Sequence, residues 1–485
     1  MTKPDRFPSP LVSLIPVAFL IGMLFFTIRI FGADALGGAG QICLLSAAAL
    51  CACIGMVFYR VSWSDIERAV TNNVAGVSVA LVILLIIGAL SATWMLSGVV
   101  PTLIYYGVQL IHPKFFLLSC CVICAAVSLM TGSSWTTIAT IGIALMGIGK
   151  AQGFSDGWVA GAIISGAYFG DKVSPLSDTT VMASSVTDTP LFTHIRYMMI
   201  TTVPSLLVAL TVFGIAGWHH TPADAATAEL FTGGLAERFH ISLWLLVVPL
   251  LTGILIARKV PSVVTLFLST LMAVVCMFVF QPDILRELGG EALQGGEGMF
   301  KGMLLALTGQ TGLATGNAEL DELVATRGMG GMLDTVWLIV CAMCLGGAMT
   351  ACGMLAGMAK GFMRFTHRLS GLVASTVGTG LFLNIATADQ YISIILTGSM
   401  FKDIYKKEGC ESRLLSRTTE DAVTVTSVLV PWNSCGLTQS TVLGVPTLTY
   451  LPYCVFNYVS PLMSILVACL GYKIVRGGKK TAENL

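Results

Sequence analysis

Apolar residues run in long unbroken stretches along this chain, near 11–31, 37–58, 75–100, 115–130, 134–149, 158–170, 197–217, 241–257, 262–280, 332–355, 371–386, 388–401 and 447–470. No formally charged residue lies between Arg68 and Lys114, and none between Lys114 and Lys150. Such runs exceed the roughly 20 residues that a bilayer helix needs. A transmembrane barrel would show short alternating segments instead. The pattern predicts an all-α polytopic membrane protein with roughly 11–14 membrane segments, several of them too short to cross alone.

Polar breaks separate the half-length pieces: TGSSW (131–135), SPLSDTT (174–180), NIATADQ (384–390) and PWNSCG (431–436). Irregular backbone survives at membrane depth only where protein buries it or water reaches it. Four such breaks point to a transport site.

The breaks are paired by an internal repeat. A shift of 256 places Thr131 on Thr387, Gly142 on Gly398, Pro175 on Pro431 and Tyr197 on Tyr453. Across 131–153 and 175–197 that one offset gives 12 identities in 46 positions. The predicted organisation is N-terminal spans (1–69), repeat 1 (70–217; tip 131–135, broken helix 171–180), and connecting spans with a Gly-rich loop (218–328). Repeat 2 (329–475; tip 384–391, broken helix 429–438) and a tail (476–485) follow. Within the Gly-rich loop, 299–307 is expected as a short external interfacial helix.

Charge gives the orientation, because Lys and Arg mark cytoplasmic loops. In repeat 1 the loops near 101–115 and 150–157 carry only Lys114 and Lys150 as basic residues. Their counterparts carry Lys360, Arg364 and Arg368, then Lys402, Lys406, Lys407, Arg413 and Arg417. Equivalent loops therefore face opposite sides, which is the inverted-repeat arrangement of secondary transporters. Both termini come out cytoplasmic, and the first apolar run reads as a span, not a cleaved leader. The net charge of +1 says nothing about partners. The 14 cysteines read as small membrane hydrophobes, Cys121/Cys124 and Cys341/Cys344 included.

Only 11% of the chain is charged, against about 25% in soluble domains. The charges that do sit at breaks therefore stand out, since one at the centre of a spanning helix costs about 2.5–3.5 kcal/mol. Tip 1 offers Thr131, Ser133 and Ser134; the break after it offers Asp171, Ser174, Ser177, Asp178 and Thr179. Repeat 2 offers Asp389 and Gln390 at its tip, then Asn433 and Ser434. Asp178 aligns with Ser434 and Asp389 with Ser133, so each half holds one carboxylate, on opposite elements. Hydroxyls, backbone carbonyls and one carboxylate suit a hard monovalent cation or a proton in its place. Asp178, Ser177 and Ser133 are the expected Na+ ligands, with Asp389 and Asn433 as a second site. Asp171 and Lys172 either neutralise one another, line the water path, or act directly. Glu420 and Asp421 read as solvated acids at the start of the next helix, and His194 and Arg196 as an interfacial anchor. No His lies near a break, so a Ser/His/Asp hydrolase is not supported.

SGAYFGDKVSPLSDTT (165–180), TGSSWTTIATIGIALMGIG (131–149), LSRTTEDAVTVTSVLVPWNSCG (415–436) and LGVPTLTYLPY (443–453) resemble the NhaC family of sodium/proton antiporters, in the ion transporter superfamily. The resemblance covers about residues 10–475. It implies re-entrant hairpins and broken helices in a mobile transport domain, a scaffold domain that often dimerises, and a bacterial inner-membrane location. It carries roles to Asp171, Asp178, Asp389, Gln390, Tyr391 and Asn433. Val181 stands where many antiporter-like members have Asn, which leaves one polar ligand of that pattern without a counterpart. The expected activity is Na+/H+ exchange. The alternative is Na+- or H+-coupled transport of a small organic acid, of malate/lactate type, or an amino acid. No enzyme activity, cofactor or nucleic-acid partner is expected beyond the bilayer and the transported Na+ and H+, and a homodimer is expected.

Overall fold

The computed structural model describes residues 8–31, 38–221, 225–290, 296–315, 318–362 and 368–474. Arg364 and the 476–485 tail lie outside the described residues. The first half runs α1 (Pro10–Phe31), α2 (Ala39–Tyr59), α3 (Trp63–Leu96), α4 (Val99–Leu110), α5 (Pro113–Thr131), α6 (Ser134–Thr137), α7 (Ile143–Ala151), α8 (Asp156–Val173), α9 (Asp178–Val186) and α10 (Leu191–His219). A connector follows with α11 (Ala225–Arg238), α12 (Val247–Ala257), α13 (Ser262–Phe280), α14 (Pro282–Gly289), α15 (Gly296–Thr308) and α16 (Ala318–Val324). The second half has α17 (Leu333–Ala351), α18 (Met354–Phe362), α19 (Leu369–Thr387), α20 (Gln390–Lys407), α21 (Ser412–Thr419), α22 (Ser434–Leu443), α23 (Thr447–Tyr450) and α24 (Val455–Leu470).

Eight helices among the described residues are long and apolar enough to cross a membrane, or up to ten if each of two bent pairs counts as one span. The expected 11–14 segments included the half-length pieces around the tips as well. Many of the large side chains facing outward are apolar, such as Phe25, Leu207, Val275 and Leu466, as a lipid-facing surface requires.

Helix boundaries follow local chemistry. Ser62 caps α3 by accepting from the Asp65 N–H (3.2 Å), and Pro113 sits in the first turn of α5, where no amide is lost to the helix. The helices before both breaks end where proline demands it: Ser174 precedes Pro175, Val430 precedes Pro431, and each is extended. Helix α8 packs closely on α5 through Gly166 and Gly170. A Cβ on these would stand 2.1 Å from the Cys121 oxygen and 2.4 Å from the Ala125 oxygen. Small residues allow such backbone contact between membrane helices, where hydrophobicity supplies no drive.

Element starts recur at the offset seen in the sequence. Helices α5, α6, α8, α9 and α10 begin 256 residues before α19, α20, α21, α22 and α23. The expected helix at 299–307 is present as α15 and packs on α14, with Gly302 against the Leu285 carbonyl. Apolar packing forms two large bodies. One gathers α4, α5, α8, α10 and α13; the other gathers α1, α2, α17 and α19. Both the tips and the breaks lie where parts of the two repeats come together.

Candidate functional site

The two tips are built alike. Each ends its first helix in the left-handed region, at Gly132 (φ 65°) and at Ala388 (φ 57°). In tip 1 the Thr131 hydroxyl accepts from the Ser133 N–H (3.1 Å) and meets the Thr137 hydroxyl (3.2 Å). In tip 2 the Thr387 hydroxyl accepts from the Asp389 N–H (3.2 Å) and meets the Ser393 hydroxyl (2.9 Å). The residue after the turn caps the next helix. Ser133 accepts from the Thr136 N–H (3.2 Å), and Asp389 accepts from the Ile392 N–H (2.9 Å). A carboxylate there also meets the positive end of α20.

The breaks bring their acids to the tips. Asp171 is buried and accepts from Ser134 (2.7 Å) and Ser177 (2.6 Å), one bond to each carboxylate oxygen. Asp389 accepts at its second oxygen from Ser434 (3.2 Å). Gln390 accepts from the Ser427 hydroxyl and the Cys435 thiol, both at 2.8 Å. Asp178 differs: it is exposed, stands first in α9, and carries no hydrogen bond or ion pair among the described residues.

These elements enclose a cavity of about 980 Å³. Of the expected residues, Thr131, Ser133, Asp171, Ser177, Asp178, Thr179, Asp389 and Gln390 line it, together with Tyr391. Asn72 and Asn73 of α3 also face it, which the sequence reading missed; two adjacent amides within a long apolar helix were the available signal. Val181 lines the wall as an apolar residue. Ser134, Ser174, Asn433 and Ser434 do not line it. Ser134 and Ser434 hold the acids from behind, and Ser174 donates to the Leu129 carbonyl (2.9 Å). Asn433 caps α22 through the Cys435 N–H (3.0 Å) and donates to the Asn384 carbonyl (3.0 Å). Among the described residues the wall holds three carboxylates and no Lys, Arg or His. Among the described residues no group of three or more His, Cys, Asp or Glu side chains is placed to hold one metal ion.

Behind the wall lies a charged group that the sequence reading misjudged. Glu420 and Asp421 are not solvated: both are fully buried, in a π-helical turn that continues α21. Lys172 pairs with Asp421, not with Asp171, and also donates to Ser460 (2.8 Å). Arg417, counted as a loop charge, is fully buried with its Nε 3.9 Å from Asp421. His194, expected at the interface, is buried against Ser416. Thr179 donates to Glu420 (3.3 Å) and contacts Ser177 (2.9 Å), so hydroxyls link Glu420 to Asp171. The repeat held the missed signal. The 256 offset sets Glu420 and Asp421 opposite Ile164 and Ser165, in the middle of an apolar span.

An all-α membrane protein whose two matched tips close on one acidic cavity has the build of a membrane transporter. Residues 166–472 match the profile of the Na+/H+ antiporter family, and the chain belongs to that family. It is 34% identical over 430 residues to the Na+/H+ antiporter NhaC of Bacillus subtilis, covering 88% of this chain and 90% of that one. It is also 34% identical over 412 residues to the malate-2H+/Na+-lactate antiporter of the same organism, covering 84% and 85%. The arginine/ornithine antiporter ArcD of Halobacterium salinarum is 31% identical over 478 residues, covering 97% and 94%.

Proposed function

We propose that this protein exchanges Na+ for H+ by alternating access, with cavity carboxylates binding the two cations in turn. One observation carries the reading: among the described residues the cavity wall has Asp171, Asp178 and Asp389 and no cationic side chain. Carboxylates and hydroxyls offer a hard cation the oxygen ligands it needs, whereas a dicarboxylate substrate would face uncompensated repulsion. Asp178, Ser177 and Ser133 form the first ion site and Asp389 the second. Asn433 and Ser434 act by holding tip 2. The hydroxyls of Ser177 and Thr179 give a proton on Asp171 a path to Glu420.

The halves function as inverted repeats in the bacterial inner membrane, with both termini cytoplasmic. The support is the basic loops of repeat 2 against the sparse ones of repeat 1. Assembly as a homodimer is carried over from the family likeness.

A second reading, Na+-coupled movement of an organic solute, is favoured by size alone. About 980 Å³ falls in the range of small-molecule pockets and far exceeds one water's share of roughly 30 Å³. Reconstituted vesicles loaded with acid separate the readings. Na+ added outside, with no organic solute, alkalinises the lumen under the first; the second requires the solute.

A further inference from the structure

A second cavity, of about 510 Å³, opens where three segments distant in sequence meet. These are the first turns of α10 and α21 and the turn after α24. Its wall holds Arg196, Arg413 and Lys473 around Tyr197 and, among the described residues, no acidic side chain. Arg196 is exposed, with no hydrogen bond or ion pair among the described residues. Arg413 pairs with Glu411 and lies 4.8 Å from the Tyr197 ring centre. The Tyr197 hydroxyl donates to the Lys473 carbonyl (3.1 Å), which fixes the end of α24 against α10.

The surroundings are apolar. Phe192 beside the cavity is 71% exposed, and Leu470 at the end of α24 is 72% exposed. Val203 and Leu207 on α10, and Leu462 and Leu466 on α24, are exposed apolar residues as well, on two helices that pack together. Three cations at the ends of membrane helices, above an apolar surface, match a molecule with an anionic head and hydrocarbon tails. Basic pockets between helices at the membrane boundary are where anionic headgroups bind.

We propose that this cavity binds the phosphate-bearing headgroup of an anionic phospholipid, whose acyl chains lie along α10 and α24. A soluble anion would use the three cations and leave the apolar surface unused. The site also reaches inward. The Tyr197 ring that meets Arg413 lies 4.9 Å from Arg417 of the buried charge group, so lipid occupancy bears on the helix that leads to Glu420. This inference needs no assumption about the transported solute.

The test is thermal unfolding of the purified full-length protein in detergent, titrated with dioctanoyl phosphatidylglycerol, dioctanoyl phosphatidylcholine or inorganic phosphate. A ligand that binds the native state raises Tm in a saturable way. Phosphatidylglycerol is expected to do so and phosphatidylcholine is not. Arg196→Gln and, separately, Lys473→Gln each shift the phosphatidylglycerol titration about fivefold to higher concentration, leaving the lipid-free Tm unchanged. Equal responses to the two lipids, or an unshifted titration in both variants, overturn the proposal. Inorganic phosphate that reproduces the full shift at the same concentration also overturns it, because the site then takes a free anion.

Discussion

Ser134 donates its hydroxyl to Asp171 at 2.7 Å, and the residues 256 positions on, Ser427 and Gln390, are joined at 2.8 Å with donor and acceptor exchanged between tip and break. One link thus ties tip to broken helix in both halves. In the first half its acceptor is a carboxylate and in the second a neutral amide. Charge differs between the halves while geometry is kept, so one scaffold presents two chemically distinct sites.

The tips differ in tolerance to one methyl group. At Gly132 an added Cβ would stand 2.7 Å from the Leu176 backbone, on a residue with φ 65°. Left-handed backbone alone costs about 1–2 kcal/mol for a residue with a Cβ. Gly132→Ala is expected to lose at least about 2 kcal/mol, read as a Tm lower by several degrees. Ala388→Gly relieves that strain but adds about 0.4–1 kcal/mol of unfolded-state entropy, and is expected to be near neutral. Equal losses in both would show that the tips are not equivalent turns.

Lys172 and Asp421 form a buried pair joining α8 to the π-turn after α21. Removing one partner of such a pair typically costs about 3–5 kcal/mol. Lys172→Met leaves Asp421 beside Arg417, whereas Asp421→Asn leaves Lys172 and Arg417 buried with Glu420 as the remaining acid of the group. Asp421→Asn is therefore expected to be the more damaging, and the double variant to recover part of the loss. The temperature at which the buried cysteines become thiol-reactive measures this. The reverse order of the single variants contradicts the assignment.

Inverted topology predicts opposite accessibility for matched loops. Lys407 and Ser155 are both exposed. In a cysteine-free background, Lys407→Cys is expected to be protected from an impermeant thiol reagent in intact cells, and Ser155→Cys to be labelled. Equal labelling of both contradicts an inverted arrangement.

The tips and breaks were legible because polar residues, Gly132, Pro175 and Pro431 interrupt otherwise continuous apolar runs, and because one offset relates them. The buried group was not. Arg413, Arg417, Glu420 and Asp421 read locally as one solvated stretch, yet α21 and the π-turn after it carry the last three inward, where Lys172 meets Asp421. Charge density near a loop measures sequence composition, and depth is set by the helix that carries it. Nor could spacing tell lining residues from supporting ones. Asn433 and Asp389 each sit at a break, but Asn433 has both ends of its amide engaged in capping.

Asp389 caps α20, and Asn keeps the oxygen that the Ile392 N–H needs. Asp389→Asn is therefore expected to fold and transport, more slowly, with the exchange no longer responding to membrane potential. If Asp178 and Asp389 each release a proton when one Na+ binds, a two-acid stoichiometry, wild type moves two protons against one Na+ and is expected to respond to potential. Na+-driven proton flux in vesicles clamped at zero and at negative potential decides it. A wild type indifferent to potential rejects the two-acid stoichiometry, and a variant with wild-type potential dependence leaves Asp389 a structural role.

The most direct measurement compares wild type and Asp178→Asn in acid-loaded proteoliposomes carrying a pH dye, challenged with Na+, Li+ or K+ and no organic solute. Asp178 faces the cavity without a partner among the described residues, so the amide removes its charge and leaves the surrounding hydrogen bonds in place. Wild-type vesicles are expected to alkalinise on addition of Na+, and the folded Asp178→Asn variant to stay at the level of empty vesicles. Wild-type flux that appears only when a carboxylate or amino acid is supplied, or a variant that exchanges at the wild-type rate, contradicts the account.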